Sequence, residues 1–147
     1  MKALIQRVSS ASVHVDGQTV GQIGQGLLVF LGVEPKDNER IADTLLHKVL
    51  AYRVFADAEG KMNVSVKERG AELLVVSQFT LVADTRKGLR PSFSSAASPS
   101  LGKTLYDYWI CEARKSPLKV ETGQFGSDMQ VSLVNDGPVT FLLHVDA

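Results

Sequence analysis

Two short stretches restrict this chain more than any others: "GLLVFLGV" at 26–33 and "ELLVVS" at 72–77. Each is an apolar run too continuous to alternate, which is the pattern of a strand covered on both faces. The fold has to supply that cover within 147 residues, of which 44% are hydrophobic and 22% charged. That length and balance suit one globular domain, residues 1–147, with one compact core.

The elements around these runs can be read in order. Val13 and Val15 alternate with Ser12, His14 and Asp16, the period of a half-buried strand, and "DGQ" at 16–18 is a hairpin turn signal. Gly24 and Gly26 bracket a second turn before the first apolar run, so the opening third is predicted to be an antiparallel meander. Ile41, Leu45, Leu46 and Val49 then fall at helical spacing, with Asp37 as the expected N-cap and Glu39 in the first turn. "YRVFADAEGKMNVSV" reads as two short strands around a turn. After the second apolar run, "ADTRKGLRPSFSSAAS" breaks all periodicity and is expected to be a functional loop. Ser98 and Pro99 mark the start of a second helix, whose predicted buried stripe is Leu101, Leu105, Tyr108, Trp109 and Ala113. The tail reads as a hairpin, with "NDG" turning Met129, Val131 and Leu133 back into Val139, Phe141 and Leu143. The expected fold class is α+β: a mostly antiparallel β-sheet or barrel with two helices in a single domain.

Several function classes recede at this stage. No apolar stretch approaches the ~20 residues that span a bilayer, and "MKALIQRVSS" is too short and polar for a signal peptide, so the expected location is cytoplasmic, with no membrane partner. The single Cys111 closes no intrachain disulfide and has no thiolate companion for a metal. Sixteen basic and sixteen acidic side chains cancel, which argues against a protein that coats nucleic acid and leaves room only for a local RNA contact, not for DNA. No His and carboxylate cluster has ligand spacing, so neither a metal nor another cofactor is expected.

Candidate chemistry gathers in two motifs. In "SQFTL", 77–81, the polar Ser77, Gln78 and Thr80 interrupt an apolar strand. Either the strand is leaving the core, or its end offers backbone donors, hydroxyls and an amide to a pocket; buried polar groups left unpaired cost on the order of 1 to 3 kcal/mol. In "NDGPVT", 135–140, Pro138 removes a backbone donor and Gly137 lacks a side chain. That pair is a plain turn or a point of close approach to a ligand or another backbone. His14, His47 and His144 have no spacing that links them to Ser77 or Thr80 as a catalytic base. Arg86, Lys87 and Arg90 in the loop, with Lys103, Arg114, Lys115 and Lys119 beyond it, are either solvated surface or a local basic patch that could hold the end of an RNA.

These motifs, with "QRVSSASVHV", "GLLVFLGV", "KGLRPSF" and "TGQFGSDMQVSLVNDGPVTF", resemble in order and over essentially the whole chain the D-aminoacyl-tRNA deacylase family, formerly the D-Tyr-tRNA deacylases. The resemblance implies a homodimeric, cofactor-free and metal-free hydrolase that proofreads translation by cleaving the ester of D-aminoacyl-tRNA. It implies catalytic roles for Ser77, Gln78, Phe79 and Thr80, and a chirality filter at Gly137 and Pro138. That pair is expected to be joined by a cis bond, to reach across the dimer and to be supported by Arg7. It further implies adenosine binding by Phe125 and Met129 and phosphate contacts from Arg86, Lys87 and Arg90. An assisting 2′-hydroxyl on the terminal ribose and some hydrolysis of glycyl-tRNA also follow from it. Ser127 stands where many members have alanine.

Overall fold

The computed structural model describes residues 1–147. Its organising element is β1 (Lys2–Val15), a 14-residue strand with both edges occupied. On one edge its N-terminal half pairs with β3 (Gly26–Gly32) and its C-terminal half with β2 (Gln18–Ile23), both antiparallel. On the other edge it runs antiparallel to β8 (Gln130–His144) from Lys2↔His144 to His14↔Gln130. The tight β1–β2 hairpin turns on Asp16 and Gly17, both with positive φ, as expected for a two-residue loop.

The expected meander does not form, because β3 returns to pair with β1 rather than with β2. From β3 the chain crosses over through α1 (Glu39–Ala51), a separate hairpin of β4 (Arg53–Ala56) and β5 (Met62–Ser65), and the four-residue α2 (Val66–Arg69). It then enters β6 (Glu72–Ser77), which lies parallel to β3; after α3 (Pro99–Ala113), β7 (Val120–Thr122) lies parallel to β6. The main sheet is therefore mixed, in the order β2-β1-β3-β6-β7, with β8 on the remaining edge of β1. β2 curls back toward β7, so closely that a Cβ on Gly21 would lie 2.4 Å from the Thr122 carbonyl oxygen, and the sheet almost closes into a barrel.

This arrangement explains the two apolar runs. Leu27, Val29 and Leu31 alternate with Leu28, and Leu73 and Val75 alternate with Leu74 and Val76. The first set packs under α1 and α3 with Leu45 and Trp109, in a core of 27 buried residues. The second set points into the barrel and meets Val8, Ala11, Val13 and Ile23 in a smaller core of seven. Each strand serves two cores, and every buried Leu or Val in them contributes about 1.5 to 3 kcal/mol relative to exposure.

Four details differ from the sequence reading. Asn38, not Asp37, caps α1, its side chain accepting from the Ile41 amide. Asp37 is drawn instead to the buried Met1 ammonium, which donates to Asp37 Oδ1 and Glu34 Oε1 at 2.8 Å each and to the Val145 carbonyl at 2.7 Å. The extra helix α2 carries a capping box of Ser65 and Glu68 that the strand reading passed over. In α3 the buried aromatic beside Trp109 is Tyr106; Tyr108 is half-buried and donates to Asp43 Oδ1 at 2.8 Å. The tail is no hairpin but one strand that pairs with β1 throughout, and residues 136–139 bulge out opposite the single Arg7.

The Met1 cage makes stability depend on charge. Removing one partner of a buried ion pair is costly, so Asp37→Asn should destabilise the protein by about 3 kcal/mol in urea denaturation. Burial pushes the Glu34 carboxyl up, but hydrogen bonds from the Met1 ammonium and His144 outweigh this and hold it below its ordinary value. The stability it adds at neutral pH is lost as pH falls through that lowered value. The deficit of Glu34→Gln against the unsubstituted protein should therefore be present at pH 7 and close below about pH 4.

Candidate functional site

The site forms where β6 stops. Ser77 is its last residue, and the Gln78 amide still donates to the Leu31 carbonyl at 2.8 Å, but the next residues wind into a 3-10 turn, Phe79–Val82. The strand that Ser77, Gln78 and Thr80 were expected to interrupt therefore ends at Ser77, and Gln78 and Thr80 lie beyond it. The physical reason is that β3 ends at Gly32, so the parallel ladder has no further partner to offer. A Cβ at Gly32 would meet Val82 Cγ1 at 2.8 Å, so the glycine lets the turn fold down onto β3. The Leu81 and Ala83 amides find acceptors in Gln78 and Thr80, while the Phe79 and Thr80 amides lead the turn and have no acceptor in the chain. The Gln78 side-chain amide donates to Thr80 Oγ1 and fixes the two side chains against each other.

Beside this turn lies a cavity of about 490 Å³, in the range of small-ligand sites. Ser77, Gln78 and Phe79 form one wall, the start of α3 from Ala97 to Gly102 another, and Phe125 to Met129 a third. Tyr106 is the floor: its ring stacks on Phe125 with centroids 5.6 Å apart, and its hydroxyl donates to the Val75 carbonyl at 3.0 Å. Burial pushes the Tyr106 phenol up to about 12, so it stays protonated and structural. No histidine, lysine or cysteine lines the cavity. Phe79 is 63% exposed and tilts against Phe93 from the loop, with centroids 5.2 Å apart, at the mouth.

Five of the sequence-derived residues thus meet at one cavity: Ser77, Gln78, Phe79, Phe125 and Met129, with Thr80 bonded to the wall from behind. Sequence reasoning missed Gly102, Tyr106 and Asp128, which also line it. Gly102 sat in a helical stretch where glycine costs stability, and that local conflict was the available signal. A Cβ there would stand 3.7 Å from Phe125 Cζ, ordinary contact, but anything longer would enter the cavity. Ser127, at the rim, accepts from Gln124 Nε2 at 2.7 Å.

The second motif lies apart from this cavity. The Gly137–Pro138 bond is cis, and Asp136, Gly137 and Pro138 are exposed on the bulge. Its base is held from several sides. Arg7 Nε donates to the Asp136 carbonyl at 3.0 Å, and Arg7 Nη1 to the Val54 carbonyl at 2.7 Å. The Val139 amide donates to Asn135 Oδ1, and Asn135 Nδ2 to Thr140 Oγ1, each at 3.0 Å. Gly137 has φ 142, a conformation glycine favours, and a Cβ there would lie 2.7 Å from Val139 Cγ2.

Of the loop cations, Arg86 is committed to Asp84, donating from Nε at 2.9 Å and Nη2 at 2.7 Å, and that contact holds the Asp84 carboxyl far below its usual range. Lys87 and Arg90 are exposed and form no ion pair. The structure also gathers one cluster that sequence spacing could not show: Glu34, His144 and Asp146, whose ligand atoms lie within 4.8 Å of one another. Glu34 Oε1 already accepts from both the Met1 ammonium and His144, so the cluster acts as an ion-pair network at the end of the sheet. No helix is long and apolar enough to cross a membrane.

Fold and cavity together define a barrel-like α+β protein with a nucleotide-sized site at a strand end. Comparison with known proteins narrows this: the D-Tyr-tRNA(Tyr) deacylase family model matches residues 4–144, and the chain belongs to that family. D-aminoacyl-tRNA deacylases of Pseudoalteromonas translucida and Escherichia coli are 59% identical over 145 residues, covering 99% of this chain and 100% of theirs. Among solved structures, the c-Myc DNA Unwinding Element Binding Protein superimposes with TM-score 0.95 at 39% identity over the whole of both chains. A probable eukaryotic D-amino acid tRNA deacylase shares the fold, with TM-score 0.86 at 16% identity over 97% of each chain.

Gly102 gives a direct test of the cavity. Gly102→Ala should raise the melting temperature, stabilising α3 by between about 0.5 and 1 kcal/mol. Gly102→Leu should keep the fold by circular dichroism yet fill the cavity, so that a ligand held there binds at least tenfold more weakly in calorimetry.

Proposed function

We propose that the chain performs chiral proofreading in translation, hydrolysing D-aminoacyl-tRNA to free D-amino acid and tRNA while sparing the L-ester. As a member of its family it is an ester hydrolase acting on aminoacyl-tRNA. The observation that carries the reading is the pairing of a nucleotide-sized cavity, walled by Ser77, Gln78 and Phe79, with two unclaimed backbone donors, the Phe79 and Thr80 amides, in the turn that begins at that wall.

In this reading the terminal adenosine sits in the cavity against Phe125 and Met129, which places the ester at the turn. A water oxygen adds to the carbonyl carbon, and negative charge collects on the carbonyl oxygen, where the two amides donate to it; in other hydrolases losing one such donor costs on the order of 10² to 10³ in rate. The carbon–oxygen bond to the ribose then breaks, and the ribose oxygen leaves as the 3′-hydroxyl. A general base is needed to orient and deprotonate the water; no histidine, lysine or cysteine lines the cavity, and its ionisable groups are the Asp128 carboxylate and the Tyr106 phenol committed to Val75. The vicinal 2′-hydroxyl of the substrate takes that part as a relay, accepting the water proton while it passes its own to the departing 3′-oxygen, without a metal or cofactor. Ser77 and Gln78 hold the substrate at the wall. Thr80, bonded to the Gln78 amide, positions rather than attacks.

Selectivity comes from a second copy of the chain in a homodimer. The Gly137–Pro138 bulge is exposed and does not line its own cavity, and the neighbouring outer face of β8 presents Val134 and Leu142, 56% and 54% exposed. Those features fit a bulge that enters the partner's cavity, held out by Arg7, and an apolar surface that the partner covers. A rigid backbone wall there admits the side chain of a D residue and excludes that of an L residue, so discrimination rests on exclusion. Lys87 and Arg90, with Arg86 where it exchanges Asp84 for phosphate, meet the tRNA backbone outside the cavity.

The test is deacylation of D-tyrosyl-tRNA, L-tyrosyl-tRNA and a D-tyrosyl-tRNA ending in 2′-deoxyadenosine, with a chelator present. The D-ester alone should be lost rapidly, and the deoxy substrate should be slowed by orders of magnitude. Survival of the D-ester in the presence of well-folded protein would overturn the reading. Glycyl-tRNA, with no β-carbon to exclude, should be hydrolysed measurably; resistance equal to that of L-tyrosyl-tRNA would overturn the steric filter. Thr80→Ala should retain slow turnover, and complete loss with a trapped Thr80 ester would make Thr80 the nucleophile.

A further inference from the structure

A second depression lies on the far side of the Tyr106–Phe125 ring pair from the cavity. It is an open groove of about 670 Å³ between the outer side of α3 and the end of β7 with the loop after it, lined by Lys103, Asp107, Ile110, Cys111, Arg114, Thr122 and Gln124, with Tyr106 and Phe125 shared between groove and cavity. Its charges are unequal. Lys103 Nζ is paired with Asp107 Oδ2 at 2.6 Å, which neutralises both, whereas the exposed Arg114 forms no ion pair. Lys103 and Arg114 against Asp107 leave one net positive charge in the groove.

We infer that this groove binds the single-stranded RNA immediately 5′ of the terminal adenosine, with Arg114 on a phosphate and Lys103 held in reserve by Asp107. The inference rests on the proposed placement of that adenosine in the neighbouring cavity. A strand whose last base lies against Phe125 on one side has to leave past the same ring pair, and the groove is the space that opens there. Its chemistry suits an RNA strand: a free guanidinium matches phosphate in charge and fork geometry, small polar side chains suit unstacked bases, and Ile110 with the rings of Tyr106 and Phe125 gives a base an apolar surface to lie on. The Lys103–Asp107 pair adds an exchangeable contact. An arriving phosphate competes with the carboxylate for the ammonium, which keeps the empty groove close to neutral and in line with the balanced charge of the whole chain.

Two substitutions in the groove and the one cysteine test this on the full protein. KM for D-tyrosyl-tRNA should rise on the order of fivefold in Arg114→Gln, and the slope of log affinity against log salt should shrink by about 0.7, the value for one phosphate on a single strand. Asp107→Asn, which frees Lys103, should shift KM the opposite way. D-tyrosyl-adenosine, which has no 5′ phosphate, should discriminate these variants far less than the tRNA does. Cys111, exposed at the groove and the only thiol, should be protected from alkylation by N-ethylmaleimide when uncharged tRNA is added, and not by tRNA trimmed of its last three nucleotides. Equal tRNA affinities for Arg114→Gln and the parent, or unchanged Cys111 labelling under saturating tRNA, would overturn the inference. The same holds if the salt slope falls only in Lys87→Gln and Arg90→Gln. Failure of the functional reading looks different, because the unsubstituted protein would then hydrolyse neither D-tyrosyl-tRNA nor D-tyrosyl-adenosine.

Discussion

The structure depends first on β1 having no free edge. A strand hydrogen-bonded on both sides cannot shift register on one side without breaking the other, and a one-residue slip would turn every side chain to the opposite face. β1 therefore locks β3 and β8 to each other across its width, from Lys2 to Val8 on one side and along almost its full length on the other. The bulge at 136–139 is a product of that lock: the pairing resumes on each side of Arg7, and the surplus residues have nowhere to go but outward.

The same sheet explains why the cavity forms where it does. β6 is parallel to β3 and loses its partner at the β3 terminus, so its carboxyl end opens where two parallel strands stop, a usual location for ligands in such sheets. α3 then lies across the opening with its own first turn, and the absence of a long side chain at Gly102 leaves space beneath it. The donors at Phe79 and Thr80 are a consequence of the change from strand to 3-10 turn, because the leading amides of any turn lack an acceptor behind them.

How much of this could be read beforehand depended on the range of the forces involved. Local rules succeeded: the turn at Asp16 and Gly17, the cap at Ser98 with Pro99 after it, the hairpin around Asp57 and the long aperiodic loop all lie where their residues put them. The errors arose where a distant group outbid a near one. Asp37 looked like a cap until the Met1 ammonium, 36 residues away, claimed it. "NDG" looked like a hairpin turn because β1, which holds both flanking segments straight, is more than 120 residues away in the chain, with Arg7 bonded to Asp136 across that gap. The parallel pairing of β3 with β6 was hidden for the same reason, although the continuous apolar runs were its signature. The site residues were legible as motifs and through the family resemblance. Tyr106 was not, since its role follows from a hydroxyl that reaches the Val75 carbonyl across the core.

The double duty of β3 and β6, one face in each core, also orders the molecule in time. Their amides are shielded above and below, so they exchange hydrogen only when the whole domain opens, while the exposed, unladdered amides of the bulge and of the turn at 79–80 exchange first. The two segments proposed to handle the substrate thus hang on the slowest part of the protein without belonging to it. The bonds at their bases, from Arg7 and Asn135 on one and from Gln78 on the other, carry the constancy of the barrel out to both.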